Sequence, residues 1–216
     1  MVSHRIEKAA VGLGALSAAI LLLAAERQWI AISLTEALGF VTGVGCVYLV
    51  VKQNIWNFPI GIANNLFFLV LFSRARLYGD AGLQIVYLLL AVHGWYQWWY
   101  GGIARSVLRV ARISRSGLGL VIFSVIVMTG LLVGILRLVN GAAPWLDAFT
   151  TALSLGAQYL LNRKLIETWW LWITADVLYV WLYLARGLPL TAALYGIFLA
   201  LCVMGWRAWQ RALVSA

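Results

Sequence analysis

Long apolar segments occupy almost the whole chain, and they limit what it can fold into. Each is close to the roughly 20 residues that an α-helix needs to cross a bilayer. Because backbone N–H and C=O groups find no water in hydrocarbon, such segments cross a membrane as helices. The segments lie at 29–51, 54–73, 80–100, 117–139, 145–161, 165–185 and 188–210. They predict an all-α integral membrane protein.

The composition supports a membrane protein without a separate soluble domain. Hydrophobic residues make up 64% of the 216 residues and charged residues only 11%. Soluble domains are about half apolar and about a quarter charged. The connections between the apolar segments are too short for another domain, so the function lies within the helical bundle.

The N-terminal apolar run at 9–25 has two interpretations. It follows a short basic stretch and ends at Ala24 and Ala25, which is typical of a signal peptide with a cleavage point. It is also suited to an additional membrane helix. We favour the helix, because the run leads directly into another apolar segment.

The basic residues indicate membrane topology and not nucleic-acid binding. The net charge is +9, but Lys and Arg lie at the ends of the apolar segments. When the linker 101–116, which contains four arginines, is placed inside, 11 of the 16 Lys and Arg residues lie on that side and 5 on the other. If the first helix is retained, the positive-inside rule predicts that both termini, including the C-terminus, are cytoplasmic.

An internal repeat relates the two halves of the chain. When the chain is displaced along itself without a gap, so that Asn65 falls on Asp176, matching residues coincide at many positions. We call this displacement the repeat shift. Since a single helix (117–139) separates the halves, both have the same orientation, as in transporters with parallel repeats. The shift also places Leu83 on Leu194, Gly94 on Gly205, Trp95 on Trp206 and Trp98 on Trp209.

The repeat predicts a seven-helix bundle of three, one and three helices, with an extra N-terminal helix. We divide the chain into an N-terminal apolar helix or signal-like segment (1–28), a first three-helix repeat (29–100), an arginine-rich linker and connecting helix (101–141) and a second three-helix repeat (142–216).

One helical face of the segment 165–185 combines aromatic rings with a carboxyl group. Five side chains fall within a sector of about 80°. They are Trp169, Trp172, Asp176, Tyr179 and Tyr183. A carboxylate in hydrocarbon normally faces the bundle interior or a wet cavity. Beside aromatic faces it suits a flat cationic or electron-poor small molecule. The alternative is that Asp176 is a buried structural acid and the tryptophans are packing residues.

Polar residues of the first half complete the candidate site. Asn65 is the equivalent of Asp176, and Asn64 precedes it. Gln84 and Tyr87 share a face of the next segment, where they can hydrogen-bond the polar edge of a ligand.

Pro59 and Gly61 form the candidate hinge. Placed one turn into the segment 54–73, Pro59 interrupts the helical hydrogen bonds, and Gly61 follows two residues later. The sequence therefore predicts a kink at which the two halves of a transporter rock.

The sequence contains no constellation that indicates catalysis, a metal or a cofactor. One of the two histidines lies in the polar N-terminal stretch and the other is isolated, and both cysteines lie in apolar segments. An intramembrane enzyme would need a nucleophile–base pair that is lacking. A membrane scaffold without a substrate is the other alternative, and in it Asp176 and Asn65 would matter for stability alone.

Three motifs resemble the PnuC family of vitamin transporters. They are the stretches 56–66 (WNFPIGIANNL), 76–87 (RLYGDAGLQIVY) and 94–98 (GWYQW). The second half, from Glu167 to Asp176, is similar to the family's E-x-W-x-x-W-x-x-x-D signature. The resemblance covers about 35–210. Phe58 departs from it, since a second Trp is common at this position of the motif.

The resemblance implies a full-length SWEET-like fold, often a homotrimer, in the bacterial inner (plasma) membrane. It implies facilitated uptake of nicotinamide riboside, which a cytoplasmic kinase traps by phosphorylation. Thiamine, riboflavin and deoxynucleosides are associated with other members. Nicotinamide riboside and thiamine carry a flat cationic ring that suits Asp176, whereas neutral riboflavin has less need of an acid. Asn65, Gln84 and Gln158 would bind the riboside hydroxyls.

The expected mechanism is a uniport with alternating access. The cationic ring stacks on Trp169 or Trp172, Tyr179 extends the pocket, and the polar groups meet Asn65, Gln84, Tyr87 and Asp176. The halves then rock about Pro59 and Gly61. Nothing in the sequence demands a coupling ion.

Overall fold

The structure, a computed structural model, describes residues 14, 16–30, 34–74, 78–138, 144–185, 187 and 189–214. Within these ranges it is all-α, as the apolar segments predicted, apart from one isolated β-bridge between Ala111 and Leu165. The helices of this part of the chain are α1 (Leu16–Glu26), α2 (Leu34–Val51), α3 (Asn57–Arg74), α4 (Tyr78–Tyr100), α5 (Arg115–Leu138), α6 (Pro144–Asn162), α7 (Thr168–Ala185) and α8 (Pro189–Val214), with a 3₁₀ turn at Ile103–Arg105.

The helices begin and end close to the predicted segments. The segment predicted at 29–51 corresponds to α2, which is described from Leu34 to Val51. From α2 to α8 the helices contain 18 to 26 residues, which is the range of lengths that spans hydrocarbon.

Two stretches of the described chain are both long enough and apolar enough to cross a membrane. They are α5 and Ala192–Val214 of α8. The amides, the carboxyl group and the tryptophans of the candidate site lie on α3, α4, α6 and α7. These side chains lower the apolar content, so composition marks the site-bearing helices less clearly than it marks α5.

Residues 1–45 and 46–216 form two compact units, and each is described by itself. In the first unit α1 ends at Glu26, and Gln28 closes it in the left-handed region with φ 55°. The Trp29 amide donates to the Ala24 carbonyl at 2.9 Å, which satisfies one of the last carbonyls of the helix. Of the predicted run 9–25, residues 9–13 and 15 lie outside the described part.

The described residues of the second unit form two hydrophobic cores. The larger is built around fully buried aromatic rings of α3, α4, α7 and α8, namely Phe58, Trp98, Trp169 and Trp209. The smaller lies where α5, α6 and α7 pack together and contains Val125, Leu160 and Ala175. In this unit α3 packs on α4, α7 on α8, and α6 on α4, α5 and α7.

Two glycines permit the close packing of the larger core. A Cβ at Gly205 would meet the indole of Trp169, and a Cβ at Gly94 would meet the Asn162 amide and, at 2.6 Å, the Phe58 ring. Any larger residue would therefore displace an aromatic ring from each site. The repeat shift places Gly94 on Gly205, and it places Phe58 on Trp169 as well.

Reciprocal hydrogen bonds join the two halves of this core. Trp98 Nε1 donates to the Leu161 carbonyl at 2.9 Å, and Trp209 Nε1 donates to the Val50 carbonyl at 3.1 Å. The two bonds are equivalent under the repeat shift, which pairs Trp98 with Trp209 and Val50 with Leu161. Each half thus supplies one indole donor and one helix-terminal carbonyl acceptor to the other.

Pro59 does not interrupt a helix, and the predicted kink was wrong. α3 begins at Asn57, so Pro59 lies in the first turn, where a backbone N–H has no partner inside the helix. The helix continues unbroken through Gly61 to Arg74. A Cβ at Gly61 would have only the Cys46 sulfur at 4.0 Å, so this glycine is not required for packing.

Candidate functional site

The predicted stripe on α7 faces the interior of the protein. Asp176 is buried, with 6% of its surface exposed, while Trp170, Val177 and Trp181 on the other side of the helix are exposed. Trp172, Tyr179 and Tyr183 are half-buried on the same face as Asp176. The 100° periodicity therefore identified the inward face of this helix correctly.

Asp176 lies against α8. The Cys202 thiol donates to Asp176 Oδ2 across 3.4 Å, and both side chains are buried. Within the described part of the chain no Lys or Arg side chain forms a salt bridge with this carboxyl group. A buried carboxylate that is paired only with a weak thiol donor is costly, and a cationic ligand would offset that cost.

Three tyrosines stack next to Asp176, and we call Tyr179, Tyr183 and Tyr195 the tyrosine cluster. The ring centroids of Tyr179 and Tyr195 lie 4.7 Å apart. Tyr183 stacks on Tyr195 at 5.3 Å with an interplanar angle of 20°. The cluster joins α7 to α8 and presents flat aromatic surface one turn from the carboxyl group.

Side chains from α4 and α6 reach the same region. Tyr87 lies near Ser154 of α6 and Tyr179 of α7. Tyr179 in turn lies near Thr150 of α6 and Asp176. The structure therefore brings the predicted residues Tyr87, Tyr179 and Asp176 together at a point where α4, α6 and α7 converge.

The two predicted stacking tryptophans have different environments. Trp169 is only 1% exposed, and its ring packs edge-to-face on Trp209 at 5.3 Å and against Gly205. Its faces are covered by protein in this conformation, so stacking of a ligand on Trp169 is not possible here. Its Nε1 is buried without a partner among the described residues. Trp172 is half-buried at the edge of the same core.

The predicted amides are only partly available to a ligand. Asn65 and Gln84 are half-buried, and within the described residues neither side chain has a hydrogen-bond partner. Asn64 takes part in an interaction of its own. No described hydrogen bond joins Asn65 to Asp176, the residue with which the predicted repeat pairs it.

Gln158 is engaged in a helix contact. Its Nε2 donates to Asn162 Oδ1 at 3.0 Å, and Asn162 Nδ2 donates to the Leu90 carbonyl at 2.7 Å. Asn162 is fully buried and ties α6 to α4 beside Gly94. The amide of Gln158 therefore supports this connection and is not held open for a riboside hydroxyl.

Sequence reasoning missed three residues around the site, Asn162, Tyr195 and Cys202. The face of α8 that carries Tyr195 and Cys202 has the same i, i+7 spacing as the stripe on α7, which was a usable signal. Asn162 had a signal as well, because the repeat shift pairs it with the apolar Val51. Since Val51 has no amide, the hydrogen bond of Asn162 to the Leu90 carbonyl has no equivalent in the first half.

The arrangement of aromatic rings beside a buried carboxyl group is suited to binding a flat molecule with a positive charge. These groups lie where α7 packs on α8, with Tyr87 of α4 near Tyr179. The family model of the nicotinamide mononucleotide transporters matches residues 33–211. The chain belongs to this family. The resemblance to PnuC proteins is thereby confirmed, and the protein is a vitamin transporter of the PnuC family.

Curated relatives of this PnuC-family chain differ in the vitamin that their names give. The riboflavin/roseoflavin transporter RibM of Streptomyces davaonensis is 28% identical over 181 residues, which cover 81% of this chain and 84% of the relative. The nicotinamide riboside transporter PnuC of Escherichia coli is 26% identical over 210 residues, which cover 85% and 86%. The family is thus settled more firmly than the substrate.

A solved structure shares the fold. The crystal structure of the vitamin B3 transporter PnuC superimposes with a TM-score of 0.69 at 24% identity, and covers 94% of this chain and 92% of that one. At this identity the likeness concerns the fold alone.

Proposed function

We propose that the protein is a facilitator for the uptake of nicotinamide riboside. The observation that carries the proposal is Asp176, a buried carboxyl group without a cationic protein partner in the described chain, next to the tyrosine cluster. The positively charged nicotinamide ring has the shape and charge that such a site prefers.

The binding geometry follows from the exposure of each side chain. The ring lies against Trp172 or the tyrosine cluster, since Trp169 is covered, and its charge meets Asp176. Asn65, Gln84 and Tyr87 bind the ribose hydroxyls. Asn64 and Gln158, which have interactions of their own, hold the helices that carry these residues.

We infer that transport proceeds by rocking of two three-helix repeats, α2–α4 and α6–α8, in a parallel SWEET-like arrangement with α5 between them. The reciprocal indole bonds and the paired glycine contacts support this, because each has an equivalent under the repeat shift. Without an interrupted helix at Pro59, the rocking takes place at the interface between the halves rather than within α3.

Riboflavin is the second candidate. The relative RibM bears that name, and the tyrosine cluster provides a wide aromatic surface that does not require a charge on the ligand. Thiamine and deoxynucleosides are further members of the panel to be tested. In all of these cases the protein is a transporter and not an enzyme.

Thermal stabilisation of the detergent-purified protein distinguishes the candidates, because a ligand that binds the folded state raises the apparent Tm. Nicotinamide riboside, thiamine, riboflavin and a deoxynucleoside are each added to the wild type and to Asp176→Asn. Stabilisation by nicotinamide riboside that Asp176→Asn abolishes supports the proposal. If riboflavin stabilises both the wild type and Asp176→Asn, riboflavin replaces nicotinamide riboside as the proposed substrate. No shift with any ligand favours the scaffold alternative.

Transport without an ion gradient is tested in liposomes. The purified protein should equilibrate substrate with no proton or sodium gradient. Accumulation above the outside concentration that collapses together with a gradient would contradict uniport. The homotrimer, the cytoplasmic kinase, the cytoplasmic C-terminus and the four-part division of the chain stay predictions.

A further inference from the structure

Lys164 is a buried cation in the connection between α6 and α7. Only 4% of its surface is exposed. Its Nζ donates to the Leu108 carbonyl at 2.9 Å and to Gln53 Oε1 at 3.5 Å, and it lies 4.4 Å from the ring centroid of Trp98. These partners belong to the linker, to the connection between α2 and α3, and to α4. One side chain of the second half thus binds three segments that precede it in the chain.

The backbone at Lys164 and Gln53 is unfavourable for residues with a side chain. Both occupy the left-handed region, with φ 49° and φ 52°, at the C-terminal ends of α6 and α2. Glycine is the usual residue at this position of a helix end. The two residues are equivalent under the repeat shift, and their side chains meet. Lys164 and Gln53 thus occupy positions that suit glycine, and their side chains form a contact that glycine could not make.

The linker crosses the same end of the protein and is hydrogen-bonded to both halves. The Leu108 amide donates to the Trp98 carbonyl at 3.1 Å. Ala111 exchanges two backbone hydrogen bonds of 3.0 Å with Lys164 and Ile166, and the Ile113 amide donates to Glu167 Oε2 at 3.0 Å. We call this stretch, 106–114, the strap. Separation of the halves at this end breaks the contact of Lys164 with Gln53, and it breaks the strap's bonds either to α4 or to the connection between α6 and α7.

We propose that Lys164, Gln53 and the strap form a latch that closes this end of the transporter, and that its opening sets the rate at which the site becomes accessible from the linker side. The polar contacts of Lys164 are suited to a reversible closure. When this end opens, water can accept the hydrogen bonds that Lys164 Nζ donates to the Leu108 carbonyl and the Gln53 amide, so the net cost of opening is small. The indole bonds of Trp98 and Trp209 lie behind the latch and separate after it.

Cys202 provides a native reporter for this opening. It is a buried free thiol beside Asp176, on the same helix as Trp209. The experiment uses the full chain with Cys46→Ser, in membrane vesicles of known orientation. A membrane-impermeant methanethiosulfonate reagent is applied to each side in turn. No substrate is present, so the result does not depend on which vitamin the protein carries.

Lys164→Gly removes the latch and suits the left-handed backbone. We expect it to raise the rate of Cys202 labelling from the linker side by about tenfold or more, as for the loss of one hydrogen bond to a charged group. Labelling from the opposite side should be unchanged. Arg163→Gly, which removes the neighbouring exposed cation, is the matched control and should label like the parent.

Three outcomes overturn the proposal. They are unchanged labelling in a folded Lys164→Gly protein, an equal rise from both sides, and an equal rise in Arg163→Gly. The Tm of each variant establishes that it is folded. If Lys164→Gly does not fold, Gln53→Gly carries the test. A rise from the linker side in that variant supports the latch, and unchanged labelling contradicts it.

Discussion

Trp98 and Trp209 lie against each other at the centre of the larger core, with their ring centroids 6.1 Å apart. Each indole also receives an edge-to-face aromatic contact from its own half, Phe58 on Trp98 at 5.1 Å and Trp169 on Trp209 at 5.3 Å. Since their N–H groups bind carbonyls of the opposite half, this pair joins the two halves of the chain in both directions.

Trp98→Phe and Trp209→Phe should therefore destabilise the protein by similar amounts. Each removes one hydrogen bond and leaves a small cavity, which together cost about 1 to 2 kcal/mol. Thermal unfolding in detergent measures the effect. Trp99→Phe, at a half-exposed ring next to Trp98, is the control and should leave the Tm nearly unchanged. A large loss in only one of the two buried variants would contradict their equivalence.

Gly205→Ala should destabilise the protein because the new methyl group would overlap the Trp169 ring, which Trp209 holds in place. Overpacking of this kind costs about 1 to 3 kcal/mol. Gly94→Ala should have a similar effect through Asn162 and Phe58. The free energy of unfolding, from denaturant titration in detergent, gives the comparison.

Gly134→Ala is the matched control for the glycine variants. Nothing lies within 4 Å of a Cβ at Gly134 in α5, so alanine should be neutral or stabilise the helix by up to about 1 kcal/mol. Equal destabilisation of all three variants would mean that close approach at Gly94 and Gly205 is not the cause.

Asp176→Asn should weaken the binding of a cationic vitamin by roughly 10- to 100-fold, because a hydrogen bond to a charged group contributes about 1.5 to 3 kcal/mol. The amide has the same shape, so the Tm without ligand should change little. Titration calorimetry with nicotinamide riboside measures the affinity. Glu167→Gln removes a carboxylate that binds the Ile113 amide, and it should not alter that affinity. Equal losses in both variants would indicate a general effect of charge.

The stability of the protein should rise with pH through the titration of Lys164. Burial lowers the pKa of this side chain to about 8, from about 10.4 in the unfolded chain. Between these values the unfolded state binds more protons than the folded state, so the free energy of unfolding increases as the pH rises from 8 to about 10.4. Tm measurements from pH 7.5 to 10.5 should show this rise relative to Lys164→Met. Parallel curves for the two proteins would contradict it.

The helices and the inward face of α7 were predictable because they depend on local patterns. The length of an apolar segment sets the length of a helix, and the 100° period shows which side of α7 carries the carboxyl group. The repeat shift also relates Gly94 to Gly205 and Trp98 to Trp209, and these residues form equivalent contacts in the structure.

The kink at Pro59 failed as a prediction because the start of the helix was misplaced. The segment was placed from 54, whereas α3 begins at Asn57, and this moves Pro59 from the second turn to the first. In the first turn proline removes no hydrogen bond. Apolar content does not locate the first residue of a helix, so a conclusion that depends on one turn is not secure from the sequence.

The role of Lys164 and the burial of Trp169 depend on contacts between distant segments. Lys164 looked like a basic residue of a short connection, and only the left-handed backbone and the path of the strap bring it to Leu108 and Gln53. Trp169 belongs to the predicted stripe, but the absence of a side chain at Gly205 draws its ring into the core. Neither effect has a local signal.

The exchange of indole donors has a consequence for how such a protein is assembled from pieces. If the gene were split within the codons for 106–114, each fragment would carry one tryptophan without its acceptor and one carbonyl without its donor. The two polypeptides would supply these groups to each other when produced in the same cell. A half-length ancestor would have met the same need by pairing with its own copy, so duplication and fusion would have preserved an interface that already existed.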